Sequence, residues 1–191
     1  MFLQYFIPGY CYNRISIGCT VRRYLFFTLL LTIFFSSCEK ETVIRYEGRM
    51  EAEFTIPLGL NTIETHYFTI KNVPTFYIQN AKNFNVDTSD IKIVQSSKGL
   101  MRATFNDAEY DFIERVSVYA VSTKDPALKR EMYYLDFSPV NTGRELKMLS
   151  STTNIKDILM EENIDIEVRL NFRRFPPGNI RTKIEFGYAV F

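Results

Sequence analysis

IDIEVRLNF, residues 164–172, decides how this chain is read. Ile164, Ile166, Val168, Leu170 and Phe172 take every second position, and Asp165, Glu167, Arg169 and Asn171 fill the gaps. A period of two puts all five apolar side chains on one face of an extended strand and the polar ones on the other. The rhythm returns near the end, where Ile184, Phe186, Tyr188 and Val190 alternate with Lys183, Glu185, Gly187 and Ala189. Between the two runs stands Pro176-Pro177-Gly178-Asn179. The prolines have a fixed φ and no amide donor, and Gly and Asn tolerate tight turns, so the two runs are expected to form an antiparallel hairpin.

Working outward, the same period recurs. Met50, Ala52, Phe54 and Ile56 alternate with Glu51, Glu53 and Thr55 up to Pro57, and His66, Phe68 and Ile70 share a face in the next run. Residues 91–96 and 100–105 read as two strands of a hairpin turned by Ser97-Lys98-Gly99. Residues 113–122 and 131–137 supply two more, separated by Lys124-Asp125-Pro126, and a shorter strand is expected over 144–148. One stretch has helical spacing: Asn154 as cap, then Ile155, Ile158 and Leu159 on one face. A second short helix is expected within 75–83. The pattern predicts an all-β fold, an antiparallel β-sandwich of immunoglobulin-like size with one short helix near the C-terminal hairpin; the alternative is a closed β-barrel.

The composition agrees with one domain. The 191 residues are 46% hydrophobic and 15% aromatic, which supports a core and excludes a disordered chain. Formal charge is +1, and the basic residues before Cys38 are Arg14, Arg22 and Arg23, with no acidic residue among them. The chain from Cys38 onward is therefore slightly acidic and offers no electrostatic footprint for nucleic acid.

The first 42 residues carry a different signal. Arg22 and Arg23 precede an apolar run from Tyr24 to Phe35, then the small residues Ser36 and Ser37, then Cys38. A positive segment, a short apolar helix and small residues before a cut form the layout of a secretory signal. The run is short for crossing roughly 30 Å of hydrocarbon as a permanent helix. Phe35-Ser36-Ser37-Cys38 resembles a lipobox, the motif of bacterial lipoproteins, although Phe35 stands where leucine is commoner. The resemblance implies a diacylated Cys38 thiol, cleavage just before Cys38 and often acylation of the new amine. Two or three chains at about 0.8 kcal/mol per buried CH₂ make a durable anchor. Lys40 followed by Glu41 resembles part of the surface-export signal of Bacteroidota lipoproteins.

The expected organisation is then residues 1–20 as a mis-assigned start or extended n-region, with Val21 as the true start; 21–37 as the lipoprotein signal peptide; 38–42 as an acylated tether; and 43–191 as the β-sandwich domain. The whole plan resembles small β-sandwich lipoproteins of Bacteroidota and implies a place in the cell envelope, on the outer membrane. Cys11 and Cys19 fall before the cut, so the mature domain would hold no internal disulfide.

Candidate chemistry is sparse. Hydrolases of the Ser-His-Asp type need a histidine base, and His66 is the sole histidine, set on an apolar face where a structural role is the ordinary one. No G-x-S-x-G elbow is present. Asp107, Glu109 and Asp111 place oxygens at every second position and form a weak calcium candidate, against the plainer reading of a polar turn. Arg169, Arg173, Arg174, Arg181 and Lys183 gather near the expected C-terminal hairpin, where an anionic ligand competes with cross-strand pairing to Glu167 and Glu185. Tyr133 and Tyr134 are adjacent on a strand, so they face opposite sides. No cofactor is expected. The sequence points to a membrane-anchored, non-enzymatic binding or assembly domain, held through acylated Cys38, whose partner is an envelope protein or glycan. The alternative is a carbohydrate-binding or carbohydrate-processing accessory lipoprotein, which exposed tyrosines would favour and the absence of tryptophan disfavours.

Overall fold

Alternating apolar residues become eight strands: β1 (Tyr46–Ile56), β2 (His66–Pro74), β3 (Val94–Ala103), β4 (Ile113–Ser122), β5 (Lys129–Leu135), β6 (Glu145–Ser150), β7 (Asn163–Phe172) and β8 (Ile180–Val190). A computed structural model describes residues 43–104 and 108–191. In β7 the five apolar side chains are all buried and the residues between them half-buried. Each such side chain contributes about 1.5–3 kcal/mol on burial.

All pairings are antiparallel, in the order β1-β8-β3-β6-β5-β4-β7-β2. The pairs are nested. β4 lies against β5, β3 against β6, β2 against β7 and β1 against β8, so the chain is one long ribbon doubled back on itself. The ribbon then coils, adding β3–β8, β4–β7 and β5–β6. This is the connectivity of a jelly roll. One half-sheet is β1-β8-β3-β6 and the other β5-β4-β7-β2, with inward side chains from both filling a shared core. β5 and β6 join the halves through the ladder pairs Tyr133–Ser150 and Tyr134–Leu149. Across the molecule, the outer edges β1 and β2 meet through the Phe54 and Phe68 rings, 5.2 Å between centroids. The fold is a flattened, nearly closed barrel, so the all-β expectation holds and both forms of it describe part of the molecule.

Two expected hairpins are absent. β7 and β8 are consecutive but not partners: β7 pairs with β2 and β4, β8 with β1 and β3. The proline turn instead carries the chain from one half-sheet to the other. Pro176 is buried, and Asn179 Oδ1 accepts the Leu58 amide just beyond β1 at 2.8 Å. Residues 94–103 form one strand, not two. Its register on β8 slips between Ser96 and Gly99, so Ser97 and Lys98 bulge over Gly187. A Cβ on Gly187 would stand 2.5 Å from Ser97 Oγ, so only glycine lets the bulge lie down.

Loops sort cleanly to two ends. At one end lie the start of β1, the end of β8 and the segments 75–93, 123–128 and 151–162. The other end carries segments 57–65, 136–144 and 173–179. Helix α1 (Tyr77–Asn83) closes the first end, burying Tyr77 and Ala81 as the spacing within 75–83 requires. The single turn α2 (Lys156–Leu159) buries Ile158 and Leu159, with Ile155 before it. Asn154 sits one residue ahead of the helix cap. Its Oδ1 accepts the amides of Lys156 and of Val94, both at 3.1 Å, and so ties α2 to β3.

Candidate functional site

The residues singled out from sequence do not converge. Cys38 and Asp107 lie outside the described residues. Asp111, of the calcium candidate, accepts from Arg174 at 2.6 Å, and Glu109 precedes the 3-10 turn Tyr110–Phe112. Among the described residues no three His, Cys, Asp or Glu side chains are grouped to hold a metal ion. His66 donates from Nε2 to the Asn61 carbonyl at 2.8 Å and stacks on Phe172 at 5.1 Å, a structural placement.

Because β7 and β8 belong to different half-sheets, the basic residues disperse. Arg173 donates to the Ser138 carbonyl, Arg181 pairs with Glu53 at 2.6 Å and Lys183 with Glu51 at 2.5 Å. Glu185, almost fully buried on an outward face, takes its cations from other strands, Arg49 of β1 and Arg102 of β3. Glu167 is met by Lys129 at 2.7 Å and by Arg169 of its own strand at 2.8 Å. Burial alone would raise the pKa of Glu167, but these two cations outweigh it and hold the carboxyl below its ordinary value.

What the strand order does assemble is an aromatic face. On the outside of β5-β4-β7-β2, Tyr67, Arg169, Ser117 and Tyr134 stand in one register row. The next row holds Thr69, Glu167 and Tyr119. The Arg169 guanidinium lies over the Tyr119 ring at 4.2 Å and over the Tyr67 ring at 5.4 Å. Tyr67 is 61% exposed. Burial, then the negative charge of Glu131, raises the Tyr119 phenol, so it stays a neutral donor. Two rings around a fixed guanidinium, rimmed by Glu167 and Asn171, offer flat apolar area with polar groups at its edge. Sequence spacing shows that Tyr67 faces away from His66 and Phe68, but only the β2–β7–β4 order brings it to Arg169 and Tyr119.

Surface clefts lie elsewhere among the described residues. A cleft of about 440 Å³ beside α1 is lined by Thr75, Phe76, Ile78, Lys82 and Glu161 among others. One of about 320 Å³ lies over the β3 bulge, between Arg49, Lys98 and Glu185. A third, of about 480 Å³, is open between residues 108–111 and 177–180 at the opposite end from α1. That end also displays Leu58, Ile63, Phe137, Val140 and Phe175, each more than half exposed. No helix among the described residues is long and apolar enough to cross a membrane.

No protein-family model matches the chain, and no curated protein matches it. Among solved structures it resembles a chain from Desmodium yellow mottle tymovirus at 10% identity. The match covers 81% of this chain and 93% of that one, with a TM-score of 0.25.

Proposed function

We propose that this chain is an exported lipoprotein, held on the outer membrane through acylated Cys38, whose β domain is a non-enzymatic binding module. The observation that carries the reading is the order of signals along the chain. An arginine pair, a short apolar run and a lipobox end at Cys38, and β1 begins at Tyr46, leaving only a short tether between anchor and fold. The far loops, with Ile63 and Phe137 at their tips, are the part of the domain such an anchor holds outward. A lone apolar side chain on a surface is ordinary, but several at one loop end suit a protein partner.

Intact mass of the protein from membranes, compared with Cys38→Ala, tests the anchor. The expected wild-type mass begins at Cys38 with added acyl chains and is lost in the variant. An unmodified mass that retains residues before Cys38 refutes it. Photo-crosslinking from Ile63 and Phe137 on whole cells then tests the partner face, and absence of any adduct there while other sites give one refutes that placement.

A second reading, a glycan-binding accessory protein, is favoured by the Tyr67–Arg169–Tyr119 stack. Flat rings beside a guanidinium and a carboxylate suit the apolar face and hydroxyl rim of a sugar. Retardation in native gels cast with polysaccharide, abolished by Tyr67→Ala, would support it. Migration unchanged across neutral and acidic polysaccharides would dismiss it.

A further inference from the structure

We infer that the α1 end of the domain rests on the bilayer itself, with Phe76 and Ile78 in the interfacial layer and Lys82 at the lipid phosphates. The inference rests on the lipid-anchor reading above and adds to it an orientation and a contact surface.

Reach comes first. From Cys38 to Val43 is five residues, which span at most about 17 Å when fully extended. The end of the domain that β1 enters from is the end that α1 closes. Tyr46 stacks on Phe84 at 5.3 Å, and its hydroxyl reaches the Tyr77 carbonyl at 3.5 Å. The 11 residues of β1 extend about 36 Å away from that point. A lipid on Cys38 therefore keeps α1 close to the headgroups, and a soluble partner of any size has little room to reach it.

The side chains at this end suit that place. Phe76 is 50%, Ile78 46% and Phe84 55% exposed, and Val43 and Ile44 are exposed on the approach to β1. Phe76 and Ile78 flank the α1 cleft with Lys82 beside them. An amphipathic surface of aromatic, aliphatic and lysine side chains is what partitions into a membrane interface.

The backbone of Phe76 makes an independent point. It is left-handed, with φ 51° and ψ 12°, a conformation that a bulky side chain rarely adopts. Neighbouring contacts hold it there: the Thr75 amide and hydroxyl donate to the Glu162 and Glu161 carbonyls at 3.0 and 2.7 Å, and the Asn80 amide donates to Phe76 O at 2.8 Å. The result is a phenyl ring presented to the outside by a strained turn, where glycine or asparagine would be easier. Strain kept at an exposed aromatic points to use of that ring.

The chain contains no tryptophan, so a single introduced indole reports its own position. Full-length lipoprotein carrying Phe76→Trp, Phe84→Trp or Phe137→Trp is reconstituted into phosphatidylcholine–phosphatidylglycerol vesicles with brominated acyl chains. F76W and F84W are expected to lose roughly half or more of their fluorescence, while F137W at the far end loses almost none. Flotation with the vesicles but no quenching in F76W and F84W overturns the docking and leaves the anchor intact. Equal quenching at all three positions overturns the orientation. Crosslinks between copies through this end, in place of quenching, would assign the surface to self-association and also overturn it. Protein that lacks acyl mass and does not float refutes the anchor, and the docking with it. Two probes on separate turns guard against one variant misfolding.

Discussion

Gly48→Ala is expected to destabilise the domain through one side chain. Gly48 faces inward on β1, in register with Tyr188 of β8, and the tyrosine ring lies across its Cα. A Cβ there would be 2.0 Å from Tyr188 Cζ and 2.2 Å from its hydroxyl oxygen, where non-bonded atoms need about 3.5–4.0 Å. The ring must retreat well over an ångström. It is fully buried, and its hydroxyl accepts from Asn80 Nδ2 at 3.0 Å and donates to the Thr75 carbonyl at 3.4 Å. Retreat therefore strains the core and detaches α1. Overpacking costs about 1–3 kcal/mol. The displaced hydroxyl adds about 1 kcal/mol. Replacing a strand glycine returns about 0.5–1 kcal/mol. The net expectation is a loss of about 1–3.5 kcal/mol, or a fall in Tm of roughly 2–14 °C for a domain of this size. Urea unfolding should show a lower midpoint with an unchanged slope. In a Tyr188→Leu background the same substitution should cost markedly less, because its opponent is gone. An equal cost in both backgrounds, or a stabilised G48A, would refute the reasoning.

Further outcomes follow from the buried polar groups. Glu161 accepts from the Ser122 hydroxyl and from the Thr123 amide and hydroxyl at 3.0 and 2.8 Å; burial would raise its pKa, but these bonds outweigh it and hold the carboxyl low. Its contribution is present above the ordinary carboxylate range and lost as pH falls through the lower folded value, so Glu161→Gln should cost about 1–3 kcal/mol near neutrality and progressively less in acid; urea midpoints against pH check this, and an undiminished difference in acid sinks it. Burial pushes Tyr77 up to about 12 and also raises Tyr46, Tyr110 and Tyr133. Their stabilisation is complete below the ordinary value of 10.0 and lost as pH climbs towards the folded values, so phenolate absorbance should rise in a late step coincident with unfolding; smooth titration of every tyrosine in a folded domain would count against it. Arg49 is largely exposed while its partner Glu185 is not, so a double-mutant cycle between them should return less than about 1 kcal/mol, and a coupling of several kcal/mol would show the pair is shielded from water.

The strands were legible because a half-buried strand writes its period locally. Residues 164–172 and 50–56 declare both their extension and their inward faces without any partner. Pairing is a different matter, because it is decided by residues far apart in sequence. Pro176-Pro177-Gly178-Asn179 reads as a turn and is one, yet the same residues serve a hairpin or a crossing between half-sheets, and only the edges offered by β1 and β3 choose. Ser97-Lys98-Gly99 has the composition of a turn, but the space over Gly187 turns it into a bulge. The candidate face suffers most from this limit. Tyr67, Tyr119 and Arg169 come from three strands, and nothing local to any of them announces the other two.

The nested ribbon also grades its contacts by distance along the chain. Val118 pairs with Tyr133 across a short turn, Gly99 with Met148, Phe68 with Val168, and Tyr46 with Val190 across the longest span. A chain that emerges N-terminus first thus presents β1 to β4 while every hydrogen-bonded neighbour they will have is still unmade. Closing such distant contacts is slow, and exposed strand edges invite wrong partners in the interval. The first strand is the one that waits longest, so an intact β1–β8 pair certifies that all eight strands have emerged. Truncation of the last strand should accordingly yield no partial fold, only material for chaperones and proteases.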